Sequence, residues 1–233
     1  MGANAQTSVP AFTSGQVLTA AQVTQINTGI PVFASSTERD AAFGGTGEKT
    51  LAEGQMAYLE DTNATQYYDG SSWAAVAGGK ILQVVSTAKT DTFSASLSGH
   101  GSTAVTGLSV AVTPTSATST ILVLATVNGA RGSSGPLAIS LKRGASGIFL
   151  GDAASSRMQV TSYSYVNSDA EMANIGLSYV DSPATTSATT YSIDIHNTTG
   201  TTQSVYVNRS ADDTDTASYA RTSSSITVLE VSA

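Results

Sequence analysis

The chain contains no cysteine, which excludes disulfide staples and thiolate metal sites. It is also poor in charge: 12% of its 233 residues are Asp, Glu, Lys or Arg, about half the usual share of a soluble domain. Aromatic residues make up 6%, and histidine occurs only at His100 and His196. No stretch approaches the roughly eighteen apolar residues of a membrane-spanning helix. Residues 1–30 lack the basic start and long apolar run of a secretory signal. Met1-Gly2 opens like a myristoylation signal, but Gln6 stands where Ser or Thr is required.

Clustered cations are missing too. The ten basic residues are scattered, only Lys142 and Arg143 are adjacent, and the formal net charge is -7. A surface that holds phosphates needs grouped Lys and Arg. Neither nucleic acid nor an anionic membrane surface is therefore an expected partner.

What the chain has in quantity is Ser and Thr, 34 and 33 of them. Thr suits strands and Ser suits turns, which points to a polar, weakly charged β-protein. A hydrophobic share of 40% with this modest net charge separates it from disordered chains of similar texture.

The texture changes partway along. Residues 1–79 carry scattered apolar residues in small Gly- and Ala-rich pieces, whereas 80–233 read as one strand after another. Three segments follow: an arm at 1–30, a small α+β module at 31–79, and a β-sandwich at 80–233. In the arm, "LTAAQVTQINTG" predicts a short helix. Thr19 is its N-cap, Gln22 completes a capping box, and Leu18 and Val23 sit at staple positions. Gly29 and Pro31 mark its end. A helix of about ten residues is marginal alone, so its stripe of Leu18, Val23 and Ile26 is expected to dock on a partner or on the chain itself.

In the module, "STERDAAF" (36–43) predicts one or two helical turns capped by Ser36 or Thr37. "EGQMAYLED" (53–61) predicts a strand, and "ATQYYDGSSWAAV" (64–76) two more around an Asp69-Gly70 turn. Tyr58, Tyr67, Tyr68 and Trp73 supply most of the bulk and are expected to form the core of this unit. A unit so small needs neighbours to be stable, and without cysteine that means oligomerisation or packing on other protein. "GGTGEKT" (44–50) resembles a phosphate loop, but Glu48 directly precedes Lys49 where Gly is needed, so nucleotide binding is not expected.

Beyond Gly78-Gly79, strands are predicted near 80–86, 91–97, 104–112, 120–128, 136–143, 147–151, 156–166, 171–181, 189–196, 202–208 and 223–231. Leu137, Ile139 and Leu141 alternate with Ala138, Ser140 and Lys142. Tyr191, Ile193 and Ile195 alternate with Ser192, Asp194 and His196. "ILVLATV" (121–127) is apolar at every position except Thr126 and predicts a central strand buried on both sides. This segment is long enough to bury about 70% of its unfolded surface. No fixed repeat argues for a propeller or solenoid.

Catalytic chemistry finds little material. Neither histidine has a sequence neighbour resembling a metal or triad partner, and no G-x-S-x-G elbow occurs. No enzyme activity, cofactor or metal is expected. Asp212, Asp213 and Asp215 are the best cation candidates, but they lack the spacing and Gly of a calcium loop, so a solvated tip is the expectation. Tyr163 and Tyr165, on the strand face opposite Met158 and Val160, either face a ligand or pack against a second sheet or sister subunit.

Three stretches carry a resemblance. "FTSGQVLTAAQVTQIN" (12–27) resembles the opening anchor of tailed-bacteriophage fibre and minor structural proteins. "PVFASSTERDAAF…EGQMAYLEDTNATQYYDGSSWAAV" (31–76) is similar to the small module that follows it there. "SSSITVLEVSA" (223–233) resembles the last strand of trimeric jelly-roll knobs. The resemblance implies a virion protein: a homotrimer that binds other tail or capsid proteins through Leu18, Val23 and Ile26, with Tyr163, Tyr165 and the three aspartates as receptor-facing tips. It implies a host surface glycan or protein as ligand. Capsid decoration without receptor binding is the alternative, since the family's long shaft is missing here.

Overall fold

The structure is a computed structural model and describes residues 7–9, 11–26, 29–46, 48–76 and 79–233. It is mainly β, built from several sheets that are almost wholly antiparallel. Chain packing divides it into two compact units, Met1–Gly78 and Gly79–Ala233.

In the first unit, α1 (Ala20–Ile26) starts as the capping-box pattern dictates. The Thr19 N–H donates to Gln22 Oε1 at 2.9 Å, and the Gln22 N–H donates back to Thr19 Oγ1 at 3.3 Å. Gly29 holds the left-handed φ of +71° that suits a helix exit. Every described residue from 11 to 21 is exposed. Beyond this arm come β1 (Val32–Phe33), α2 (Ser36–Ala41), β2 (Met56–Leu59), β3 (Ala64–Tyr68) and β4 (Trp73–Ala75). They form one sheet in chain order, parallel between β1 and β2 and antiparallel elsewhere. The cap of α2 is Ser35, one residue before the expected Ser36 or Thr37; its hydroxyl accepts from the Glu38 N–H at 3.3 Å. Asp69 closes the β3–β4 turn by accepting from the Ser71 and Ser72 N–H groups at 2.8 and 2.7 Å. These bonds hold its carboxyl down at about 2.

The core of this unit departs from the expected cluster of three tyrosines and a tryptophan. Its buried residues are Val9, Phe33, Ala42, Ala57 and Leu59, with Phe43 and Trp73 packed against them. Tyr67 is exposed, and Tyr58 and Tyr68 are half-buried. Strand alternation explains this: Tyr67 and Tyr68 are consecutive in β3 and must point to opposite faces.

The second unit contains eleven strands: β5 (Ile81–Lys89), β6 (Phe93–Leu97), β7 (Ser102–Val112), β8 (Thr120–Arg131), β9 (Gly135–Arg143), β10 (Ser146–Ile148), β11 (Ser162–Val166), β12 (Ala173–Asp181), β13 (Thr189–Asn197), β14 (Gln203–Val207) and β15 (Ser224–Val231). One sheet runs β5-β15-β8-β14-β6, with β12 paired along β8 at residues 121–129. The other runs β10-β9-β13-β7, with β11 also on β9. The inward residues of both sheets merge in one core, with Leu108, Ile139, Ile193, Val123 and Val228 among its members. Burying each such side chain stabilises by about 1.5–3 kcal/mol. In β7, the pairing with β13 slips between Ser192 and Asp194, and Gly107 takes a φ of +82° there. The extra residues let Val105 and Leu108 both reach the core.

Two expectations change here. The strand predicted at 156–166 is ordered as a strand only over Ser162–Val166, so Met158 and Val160 lie in the preceding loop. Strand β8 is central but not buried on both sides: Ile121, Val123, Ala125 and Val127 face the core, while Leu124 on the other face is 39% exposed.

Candidate functional site

The outer face of the β10-β9-β13-β7 sheet gathers side chains that the sequence leaves far apart. Tyr163 and Tyr165 project from β11, 66% and 55% exposed. Their partners across the ladder are Ala138 and Pro136 of β9. The next strand places His196 opposite Ala138 and Asp194 opposite Ser140. Lys142 Nζ lies 4.0 Å from Asp194 Oδ2. The floor between the tyrosine strand and the histidine strand is thus made of the small residues Ala138 and Ser140, both buried.

His196 is the group in this row whose chemistry the fold alters. Burial pushes its imidazole below the usual value, Asp194 pulls it back up, and Lys142 pushes it down again. Its Nε2 is buried and finds no hydrogen-bond partner among the described residues. Nothing in the sequence joined His196 to Lys142, which is 54 positions away; only the β9–β13 register does so. Asp194 and His196 themselves show the outward period of two that marks one strand face. His100 stands apart, in a turn with φ of +59°, its N–H donating to Thr199 O at 2.8 Å.

The three aspartates behave differently from a free acidic tip. They lie in the loop between β14 and β15. Asp213 bridges Arg209 at 3.1 Å and Arg221 at 2.8 Å. Asp212 accepts from the Thr214 hydroxyl at 2.7 Å, and that bond, with help from Tyr219, holds its carboxyl below the usual range. The Asp212 N–H donates to Asp169 O, tying this loop to the turn before β12. Asp215 is exposed. Among the described residues, no three His, Asp or Glu side chains are grouped to hold a metal ion.

Two buried networks fix the frame around these surfaces. Tyr191 donates to Asp181 Oδ2 at 2.6 Å, and Arg143 Nη1 contacts both oxygens of Asp181 at 3.0 and 2.9 Å. Burial and the bond to Asp181 both raise the Tyr191 phenol. Glu230, fully buried, accepts from Gln83 Nε2 at 2.6 Å and from the Thr115 N–H and hydroxyl at 2.7 Å each. Ser119 Oγ approaches the same carboxylate without full hydrogen-bond geometry. Burial alone raises this carboxyl; the donors outweigh it and hold it at about 2.

In the arm, Phe12, Val17, Leu18 and Val23 are 41%, 88%, 40% and 42% exposed. Ile26 ends α1, and its side chain lies outside the described residues. In the module, the Trp73 ring packs in tilted contacts with Phe43 and Tyr68, centroids 5.9 and 5.7 Å away, with the Arg39 guanidinium 4.6 Å above its ring. Trp73 is thus committed to its own unit. No helix of the described residues is long and apolar enough to cross a membrane. No protein-family model matches the chain, and no curated protein is similar to it.

Proposed function

We propose that this chain is a non-enzymatic structural component of a tailed-phage virion: a short homotrimeric fibre or spike, anchored by its N-terminal arm, with a C-terminal jelly-roll knob exposed for host attachment. The observation that carries the reading is the arm, whose apolar residues stand in solvent: Phe12, Val17 and Leu18 ahead of a capped helix, and Val23 within it. Such a segment gains its stability from a surface it docks on.

Strand order supports the jelly-roll part. Among the eight strands β5, β7, β8, β9, β11, β12, β13 and β15, one sheet pairs the first with the last, the last with the third, and the third with the sixth. The other pairs the second with the seventh, the seventh with the fourth, and the fourth with the fifth. Two Greek keys folded together give that interleaving. For attachment, Tyr163 and Tyr165 offer flat apolar faces on the same side of the sheet as Lys142 and Asp194, a combination suited to stacking on sugar rings while hydrogen-bonding their hydroxyls.

The test is the location of the protein. Antibody raised against residues 79–233 decorates tail or baseplate vertices of intact particles, and the full chain competes with particles for host cells. Tyr163→Ser with Tyr165→Ser abolishes that competition without changing the thermal melt. Particles that carry no such antigen overturn the reading. Antigen on the head surface, with no competition at the cell, replaces attachment with capsid decoration. That second reading draws on the short path from β4 to β5, which holds no shaft.

A further inference from the structure

The outer face of strands β5, β15, β8 and β12 has an unusual composition for a sheet face in water. The registers align Val84, Leu229, Leu122 and Val180 in one row across the four strands. Val84 and Val180 are each 57% exposed, and Leu82 and Leu124 extend the patch at 46% and 39%. The four strands contain four charged residues, Lys89, Glu230, Arg131 and Asp181, and all four are buried on the inward side. The outer face therefore carries no charge at all. A solvated antiparallel face normally alternates polar and charged residues outward.

We infer that this face is the contact between knobs of neighbouring copies of the chain, an inference that rests on the homotrimer proposed above. Three observations select a second copy as the occupant. Each copy carries a formal charge of -7, so like copies repel wherever acidic surfaces meet, and a face without charge removes that cost. The face has two halves of different relief. The Val84–Val180 row forms a ridge, and beside it a groove of about 250 Å³ runs along Leu124, Thr126, Gly176 and Thr227. Gly176 opens that groove by having no side chain. Around a threefold axis, the ridge half of one face meets the groove half of the next, which is a closed heterologous contact. The size also fits: strand rise and spacing give a flat footprint of about 600 Å². Pleated side chains bring its accessible area toward ~800 Å² per copy, divided between the two neighbours that a threefold axis supplies.

The experiment measures the mass of the full chain by light scattering and native mass spectrometry, for the wild type and for V84E and V180E. Both positions are exposed in the single chain, so the folded monomer accommodates either carboxylate. The expected result is an oligomeric wild type and variants whose association is weakened roughly a hundredfold or more, with the far-ultraviolet spectrum unchanged. Covalent footprinting of the unmodified protein supplies a readout without substitution. Leu82, Val84, Leu124 and Val180 are shielded in the oligomer and become labelled on dilution to monomer. An oligomer that survives both substitutions and leaves these side chains freely labelled overturns this interface while the homotrimer stands. A wild type that is monomeric at micromolar concentration overturns the homotrimer and the interface together.

Discussion

Replacing Glu230 by Gln tests the buried carboxylate that ties the last strand to the β7–β8 loop. The wild-type group accepts from Gln83 on one oxygen and twice from Thr115 on the other. Gln keeps one acceptor and turns the other into a donor. Gln83 cannot rotate to meet it, because its amide also donates to Thr113 O at 2.8 Å. One charge-assisted bond is lost and two N–H groups face each other, at a cost of about 2–4 kcal/mol. For a unit of this size, each kcal/mol lowers the melting point by about 2–4 °C. The expected drop at pH 7 is therefore roughly 5–15 °C, read as the larger transition in calorimetry of the full chain. The pH dependence gives a second signature. The folded carboxyl sits at about 2 against an ordinary 4.5. Its stabilisation is complete above pH 4.5 and is lost as the pH falls toward 2. The gap between wild type and variant stays constant from pH 7 to 5 and narrows below that. A variant melting within about 2 °C of wild type at pH 7 refutes the reasoning. So does a gap that does not narrow by pH 2.5.

Three other outcomes follow from the geometry. Tyr191→Phe removes the 2.6 Å bond to buried Asp181 and leaves Arg143 in place, so calorimetry shows a loss of about 1.5–3 kcal/mol. Asn208→Ala costs about 3 kcal/mol or more in denaturant melts. Its amide serves the Lys89 and Asp91 carbonyls, its oxygen accepts from Ser224, and its φ of +62° strains any side chain that lacks these bonds. Millimolar calcium leaves the melting point unchanged, because Asp213 is taken by two arginines and Asp212 by Thr214; a rise of several degrees contradicts that account.

The strands of the larger unit were legible because their alternation is clean. In β9 and β13, branched and aromatic residues at every second position leave one register that buries them all. The helix α1 was legible from three residues, Leu18, Thr19 and Gln22, since capping is local chemistry. Other features were not. Nothing in the sequence marks Lys89, Arg131, Asp181 and Glu230 as buried, because an isolated charge in a strand usually faces solvent. Their burial depends on partners such as Thr115, 115 positions from Glu230. The module core was assigned to tyrosines by bulk alone, whereas Phe33 and Leu59 are paired into it by the parallel β1–β2 contact. The apolar texture of β8 was visible, but a sequence does not say whether the chain itself or another molecule covers the second face. The row formed by Tyr163, Ala138 and His196 spans three strands and exists only in the assembled sheet.

Strand β15 lies inside its sheet, between β5 and β8, and this sets the order in which the unit can be made. Ser86 meets Thr227 across 141 positions of chain. At roughly 5–20 residues per second on the ribosome, β5 waits on the order of ten seconds for its mate. During that interval Leu82 and Val84 belong to an unpaired strand, a surface that invites aggregation. A nonsense codon anywhere before Ser224 makes the wait permanent, so truncated products are expected in inclusion bodies rather than as smaller folded knobs.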